Sequence, residues 1–300
     1  MTTPHPSVAP PADSAGWLRT GHTRHEAAFR ALCKLAIALP LCLLVVLGGS
    51  LVVEAWPRLG ASFVTSYPSR FAESAGILPA LVGTALLMGL TALFAIPLGV
   101  GAAVYLEEYA QKTRWSALLE LNITTLAGVP SILYGLLGLE LFVRVMDLGR
   151  SLVAGAATLA LLLLPMLITV SREALRTVPR ELREACFALG ADRAATLRRV
   201  VLPMCMPGVL TGIILSLSRA IGETAPLITI GALGYVAFLP TSLGSAFTAL
   251  PIQIFNWVSR PQAAFRANAA AAIVVLLVLM LLMNGVALWL RKRLQKRITG

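Results

Sequence analysis

The chain has 300 residues, of which 57% are hydrophobic and only 13% are charged. Its mean hydropathy is +0.81, and a soluble globule cannot hide that much apolar surface from water. The composition excludes a soluble enzyme, a disordered protein and a disulfide scaffold, and it indicates a protein that crosses a membrane several times. The net charge of +11 does not indicate nucleic-acid binding, because the basic residues lie between hydrophobic blocks without interleaved aromatic residues.

The first segment, residues 1–30, is rich in Pro, Ala, Ser and Thr, which predicts a disordered cytoplasmic tail. The apolar stretch Leu35–Val53 follows, and it is longer than the apolar part of a cleaved signal peptide, which has about 7–15 residues. We therefore expect an uncleaved first transmembrane helix. This helix and the outer loop after it make up residues 31–76.

Five further stretches are apolar enough to cross a bilayer, which takes about 20 apolar residues. They are Ile77–Leu106, Leu118–Val143, Leu152–Val170, Pro207–Leu233 and Ala269–Leu290. The strands of a closed β-barrel would be shorter and would alternate in polarity. The sequence thus predicts an all-α membrane protein with six transmembrane helices.

The distribution of Lys and Arg predicts the orientation of these helices. With the N-terminus inside, the inner segments carry 18 basic residues and the outer loops carry six. We therefore expect both termini in the cytoplasm of a bacterium, with residues 291–300 as a basic tail on the inner side of its plasma membrane.

Several features indicate that the chain is not an enzyme. It contains no GxxxxGK[ST] phosphate-binding loop, and all three His residues lie within its first 25 residues. Its four Cys residues form no CxxC pair, which gives no support for a metal site. We expect no cofactor on this chain, and any ATP hydrolysis must belong to a partner.

The polar segment Ser171–Met206 interrupts the apolar pattern and is rich in Arg. One amphipathic run ends at Gly190, a residue that readily adopts the positive φ of a helix end. A second run, Ala194–Val201, leads to Pro203 and is predicted to end there. The pattern predicts a helix–turn–helix, which is either a solvated loop or a knob that docks in a partner's groove.

The residues of this segment resemble a known motif. Glu184-Ala185-Cys186, Gly190 and Val200-Val201-Leu202-Pro203 have the spacing of the EAA loop of ABC-importer permeases, with Cys and Val in place of Ala and Ile. The resemblance implies the type I ABC importer permease fold over residues 77–290. It also implies that residues 171–206 contact an ATPase, with Glu184, Ala185, Gly190, Leu202 and Pro203 as coupling residues.

A charged pair stands inside the fifth predicted helix. Arg219 and Glu223 are four residues apart, a spacing that places both on one helix face. They are either an ion pair that fixes helix packing, or they line the path of an anion, since the guanidinium fork suits oxyanions. We assign Arg219, Glu223 and Arg172 to the predicted translocation path.

Three stretches narrow the resemblance further: Ser218–Leu227, Leu126–Gly135 and Leu250–Trp257 with Arg260-Pro261. They resemble the phosphate-specific permeases of the PstA type. This resemblance implies a permease subunit of an ATP-driven importer of inorganic phosphate. Its implied partners are a sister permease subunit, two copies of an ABC ATPase that binds ATP and Mg, an external phosphate-binding protein and the lipid bilayer.

Four alternatives remain open. The chain could be a type I permease for molybdate or sulfate, or the sister subunit of the PstC type. A self-sufficient secondary transporter or channel would be expected to show inverted repeats or pairs of broken helices. A structural membrane scaffold is disfavoured by a charged pair within an apolar helix.

Overall fold

The computed structural model describes residues 23–111, 113–232 and 234–299, and within these ranges the regular structure is helical. In chain order the helices are α1 (Thr23–Ala55), α2 (Ala61–Thr65), α3 (Leu78–Val104), α4 (Arg114–Leu126), α5 (Ser131–Gly138), α6 (Leu152–Arg176), α7 (Arg180–Ala188), α8 (Arg193–Thr196), α9 (Leu202–Ala220), α10 (Ala225–Ile230), α11 (Leu250–Val258) and α12 (Ala264–Thr299). Three π-helical turns extend α3, α5 and α8, at Tyr105–Tyr109, Leu139–Val145 and Leu197–Val201.

The membrane-spanning helices agree in number with the prediction, but one of them is not continuous. Among the described residues, five helical stretches are long and apolar enough to cross a membrane, and a bent pair makes up to six. The pair is α4 and α5. The chain bends by 105° between them, where the sequence predicted a single helix. Gly128 and Pro130 explain the break, because Pro lacks a backbone N–H and disfavours helical geometry in the residue before it.

The first helix starts earlier than predicted. The chain divides into a first unit that ends at Ser50 and a second that starts at Leu51. The residues from Thr23 to Arg30 are already helical, so the prediction of disorder is wrong for this part of the tail. Residues 1–22 lie outside the described residues.

Helix α6 forms the centre of the second unit. Its apolar and small residues are buried for most of its length, between α3 and α9. Glycines allow both neighbours to approach closely: a Cβ atom on Gly99 of α3 would lie 2.7 Å from Leu167, and one on Gly208 of α9 would lie 2.8 Å from Ala174. Close packing of this kind is how helices associate in a bilayer, where burial from water gives no driving force.

A separate apolar cluster fixes α11 at the opposite end of the unit from α7. Trp257 of α11 is buried between Phe63 and Phe265, with ring centroids 5.9 and 6.3 Å away. The backbone N–H of Leu250 donates to Thr84 Oγ1 of α3 at 2.8 Å. The helix therefore belongs to the core of this unit.

Candidate translocation and coupling sites

Two helix breaks meet at Arg219. Helix α9 ends at Ala220, and α10 starts only at Ala225, so the prediction of one continuous helix over Pro207–Leu233 is wrong. Gly222 and Pro226 explain this break, because glycine weakens a helix and proline cannot continue one. Non-helical backbone inside a membrane protein is tolerated where it is buried or lines a cavity.

The predicted pair does form across this break. Arg219 Nε donates to Glu223 Oε1 at 3.3 Å. Glu223 lies in the turn after α9, so its contact with Arg219 does not come from a shared helix face as predicted. The Arg219 side chain is 52% exposed and that of Glu223 only 15%, so the guanidinium has donors available beyond its partner.

Arg219 lines a cavity of about 180 Å³, which we call the Arg219 cavity. The opposite wall includes Ala127 and Val129 from the break between α4 and α5, and Tyr134 of α5. The Tyr134 hydroxyl donates to the carbonyl of Leu126 at 2.8 Å and so holds the two halves of the bent pair together. The cavity thus brings one cation next to the break between α4 and α5.

Arg172 lies in a different place from the other two residues assigned to the path. It is 9% exposed, and it contributes to a charge cluster at the end of the molecule that carries α7. Its Nε lies 3.3 Å from Glu107 Oε2 and its Nη2 lies 3.0 Å from Glu120 Oε1. The structure therefore brings Arg219 and Glu223 together but not Arg172.

The charge cluster comprises Glu107, Glu120, Arg172 and Arg176, and it borders a cavity of about 350 Å³. Arg176 repeats the contacts of Arg172, at 3.0 Å to Glu107 and 3.2 Å to Glu120. From the sequence, Glu120 was expected only to lie at the membrane interface, and Glu107 was not singled out. The signal was present, because Glu107 follows a long apolar run directly and Arg172 and Arg176 are one helical turn apart.

The predicted helix–turn–helix is confirmed at α7 and Gly190. Helix α7 ends at Ala188, and Gly190 has a φ of +84° with no atom within 4 Å of a Cβ position. Asp192 caps α8, accepting from the N–H of Ala195 at 2.6 Å. The predicted coupling residues Glu184, Ala185 and Gly190 are all exposed on this knob.

The other two predicted coupling residues belong to a different part of the chain. Leu202 and Pro203 are half-buried in the first turn of α9, and the helix does not end there as predicted. The π-helical turn before Leu202 joins α8 to α9, so a single helical stretch runs from Arg193 to Ala220. Proline is tolerated in the first turn of a helix, where its missing N–H is not needed.

The arrangement as a whole is that of a membrane transport subunit: a helical bundle with broken helices around a half-exposed cation and an exposed knob at one end. Residues 95–299 match the family described as the binding-protein-dependent transport system inner membrane component. The chain belongs to this family. Pairs of broken helices were also expected of a secondary transporter, so they do not separate the two classes, and family membership decides between them.

The similar proteins include curated relatives and solved structures. The chain is 32% identical over 90% of its length to the probable ABC transporter permease YqgI of Bacillus subtilis, covering 95% of it. It is 32% identical over 76% of its length to the phosphate transport system permease PstA of Yersinia pestis, covering 76% of that protein. Against the PstA 1 protein of Mycobacterium tuberculosis the identity is 39%, over 66% of this chain and 64% of that one.

The solved structures support the fold alone, because their sequence identity is low. A bacterial ABC transporter that imports alginate gives a TM-score of 0.60 at 16% identity, over 89% of this chain and 98% of that chain. The inward-facing methionine transporter MetNI gives 0.56 at 19% identity, over 73% and 94%. The fold is that of the ABC-importer permeases.

Proposed function

We propose that this chain is a PstA-type permease subunit of an ATP-driven importer of inorganic phosphate. The observation that carries the proposal is Arg219, which is half exposed in a cavity where two broken helices meet. A guanidinium can bind the oxygens of a phosphate with several donors at once. The PstA proteins among the relatives support phosphate rather than another anion.

The remaining parts of the importer belong to other chains. The chain pairs with a sister permease subunit, and two copies of an ABC ATPase bind ATP and Mg and dock at the exposed knob. An external binding protein delivers phosphate, and this chain binds no cofactor. Leu182, Phe187 and Leu189 are 38%, 46% and 88% exposed on the knob, which supports docking, because a group of exposed apolar side chains marks an interaction surface.

One continuous helical stretch connects the ATPase-docking knob to the translocation path. Glu184, Ala185 and Gly190 of the knob contact the ATPase and move with it, and the stretch from α8 through Leu202 and Pro203 leads to Arg219. The π-helical turn Leu197–Val201 and Pro207 lie within this stretch, and its helical course continues through both. Arg172 serves the path only indirectly, since its donors are engaged by Glu107 and Glu120.

The test is transport by the complete complex in proteoliposomes. We expect ATP-dependent uptake of labelled phosphate when the binding protein is supplied, and little uptake of molybdate or sulfate. ATP-driven uptake of either of those anions in place of phosphate would identify the alternative permease. The PstC alternative rests on a 30% identical relative in Mesorhizobium japonicum, and it would be supported if this chain rescued a strain lacking PstC but not one lacking PstA.

The proposed orientation has both termini in the cytoplasm. A reporter that works only in the cytoplasm should be active when fused after Gly300 and inactive when inserted near Ser242. The opposite pattern at either position would contradict the six-helix topology.

A further inference from the structure

The two consecutive acidic residues at the end of α3 contact different helices. Glu107 belongs to the charge cluster with Arg172 and Arg176 of α6, whereas Glu108 Oε1 lies 2.8 Å from Arg183 Nη2 of α7. Both acidic residues lie in the π-helical turn Tyr105–Tyr109. Successive residues of a helix point about 100° apart, so a dipeptide can reach two neighbours at once.

The contact between Glu108 and Arg183, which we call the α3–α7 tie, is partly buried and borders a cavity of about 580 Å³. The two side chains are 17% and 16% exposed. Arg183 also donates to the carbonyls of Val178 at 2.6 Å and Leu175 at 3.0 Å, at the end of α6. A charge pair with little solvent around it and further hydrogen bonds holds its geometry better than an exposed pair.

The charge cluster continues the connection to α4. Glu120 of α4 forms an ion pair with Arg172 at 3.0 Å and accepts a hydrogen bond from Arg176 at 3.2 Å. None of the residues of α4 is fully buried, and these ionic contacts attach it to the bundle together with the packing of Ile123. The helix ends at Leu126, directly before Ala127 and Val129 of the Arg219 cavity.

We propose that the α3–α7 tie and the charge cluster act in series to transmit motion of the ATPase-docking knob to the α4 wall of the Arg219 cavity. Displacement of α7 pulls Glu108 through Arg183, and Glu107 moves with it because the two are adjacent. Glu107 and Glu120 share the same two arginines, so α4 follows. This inference rests on the proposed function. Glu108, Arg183 and Glu120 are positioning residues, because they set the position of the α4 wall of the Arg219 cavity.

The decisive measurement is the number of phosphate ions imported per ATP hydrolysed by the complete complex in proteoliposomes. We expect Glu108→Gln and Glu120→Gln each to lower this ratio at least fivefold while the complex still assembles and hydrolyses ATP. Because the contacts act in series, the double variant should be no worse than either single variant. Arg144→Gln is the matched control, since the Arg144–Glu140 pair is exposed and lies away from α7.

A conservative change separates transmission from simple stability. Glu108→Asp keeps a carboxylate beside Arg183 and should retain at least half of the wild-type ratio, whereas Glu108→Gln should not. If assembled Glu108→Gln and Glu120→Gln complexes keep the wild-type ratio, or if their losses multiply in the double variant, the inference is wrong. Failure of the wild-type complex to import phosphate would instead overturn the proposed function.

Discussion

The Arg219 cavity and the charge cluster use the same residue types in opposite ways. Arg219 has one carboxylate partner and is half exposed, whereas Arg172 is nearly buried and has two carboxylate partners. An arginine with unused donors can bind a passing anion, whereas Arg172 would first have to give up its contacts with Glu107 and Glu120. The role of an arginine in the membrane domain is therefore indicated by the partners that it has, and its presence there is not enough.

Loss of the turn at Gly190 should have the largest effect on phosphate uptake, because without ATPase docking no motion reaches the charge cluster or the Arg219 cavity. We expect Gly190→Asp to reduce phosphate uptake to background while the protein remains in the membrane. The backbone strain of a residue at φ +84° is about 1–2 kcal/mol, too little to unfold the chain, so the loss arises at the ATPase contact. Uptake into membrane vesicles and the protein level measure the two effects.

Gly149→Asp is the matched control for this change. Gly149 also has a positive φ, of +61°, and no atom within 4 Å of its Cβ position, but it lies far from α7. This variant should import phosphate normally. Normal uptake by Gly190→Asp would contradict the docking role.

Arg219→Gln should lower uptake roughly 100-fold, because a hydrogen bond to a charged group contributes about 1.5–3 kcal/mol. Protein abundance should change little, since the side chain is half exposed. Uptake and abundance must be measured together, because Glu223 loses its partner. In the double variant with Glu223→Gln, restored uptake would show that the pair serves packing and that the anion does not need Arg219.

Arg172→Gln should act on stability before it acts on transport. The change leaves Glu107 and Glu120, which are 21% and 47% exposed, with one arginine in place of two. Arg176 remains as a partner for both carboxylates, so the loss of stability should be smaller than the about 3–5 kcal/mol of a fully buried broken pair. A lower midpoint of thermal unfolding in detergent would bear this out. An unchanged midpoint with lost uptake would instead place Arg172 on the anion path.

Glu223→Gln should have the smallest effect on transport. The change removes a restraint on Arg219 but leaves the guanidinium in the cavity, so uptake should fall less than tenfold. The test compares the initial rate of phosphate uptake by Glu223→Gln with that by Arg219→Gln. A larger loss than that of Arg219→Gln would assign the essential contact to Glu223.

The sequence by itself determined the fold class, the number of spans and the place of the helix–turn–helix. The apolar stretches, the spacing of the EAA-like segment and Gly190 are local features, and a local pattern is enough to specify a membrane helix or a turn. The Arg219–Glu223 pair was also predictable, because four residues of sequence separation keep two long side chains within reach of each other whether or not the helix continues.

Only the tertiary structure decided where the helices break and which charges meet. The same Gly and Pro residues occur in kinked and in broken membrane helices, so packing against neighbours settles whether α4–α5 and α9–α10 separate. Glu107 and Glu120 lie 65 and 52 positions from Arg172, and no local pattern specifies contacts over such distances. The α3–α7 tie likewise exists because α6 brings the ends of α3 and α7 together, and that depends on close packing along the whole bundle.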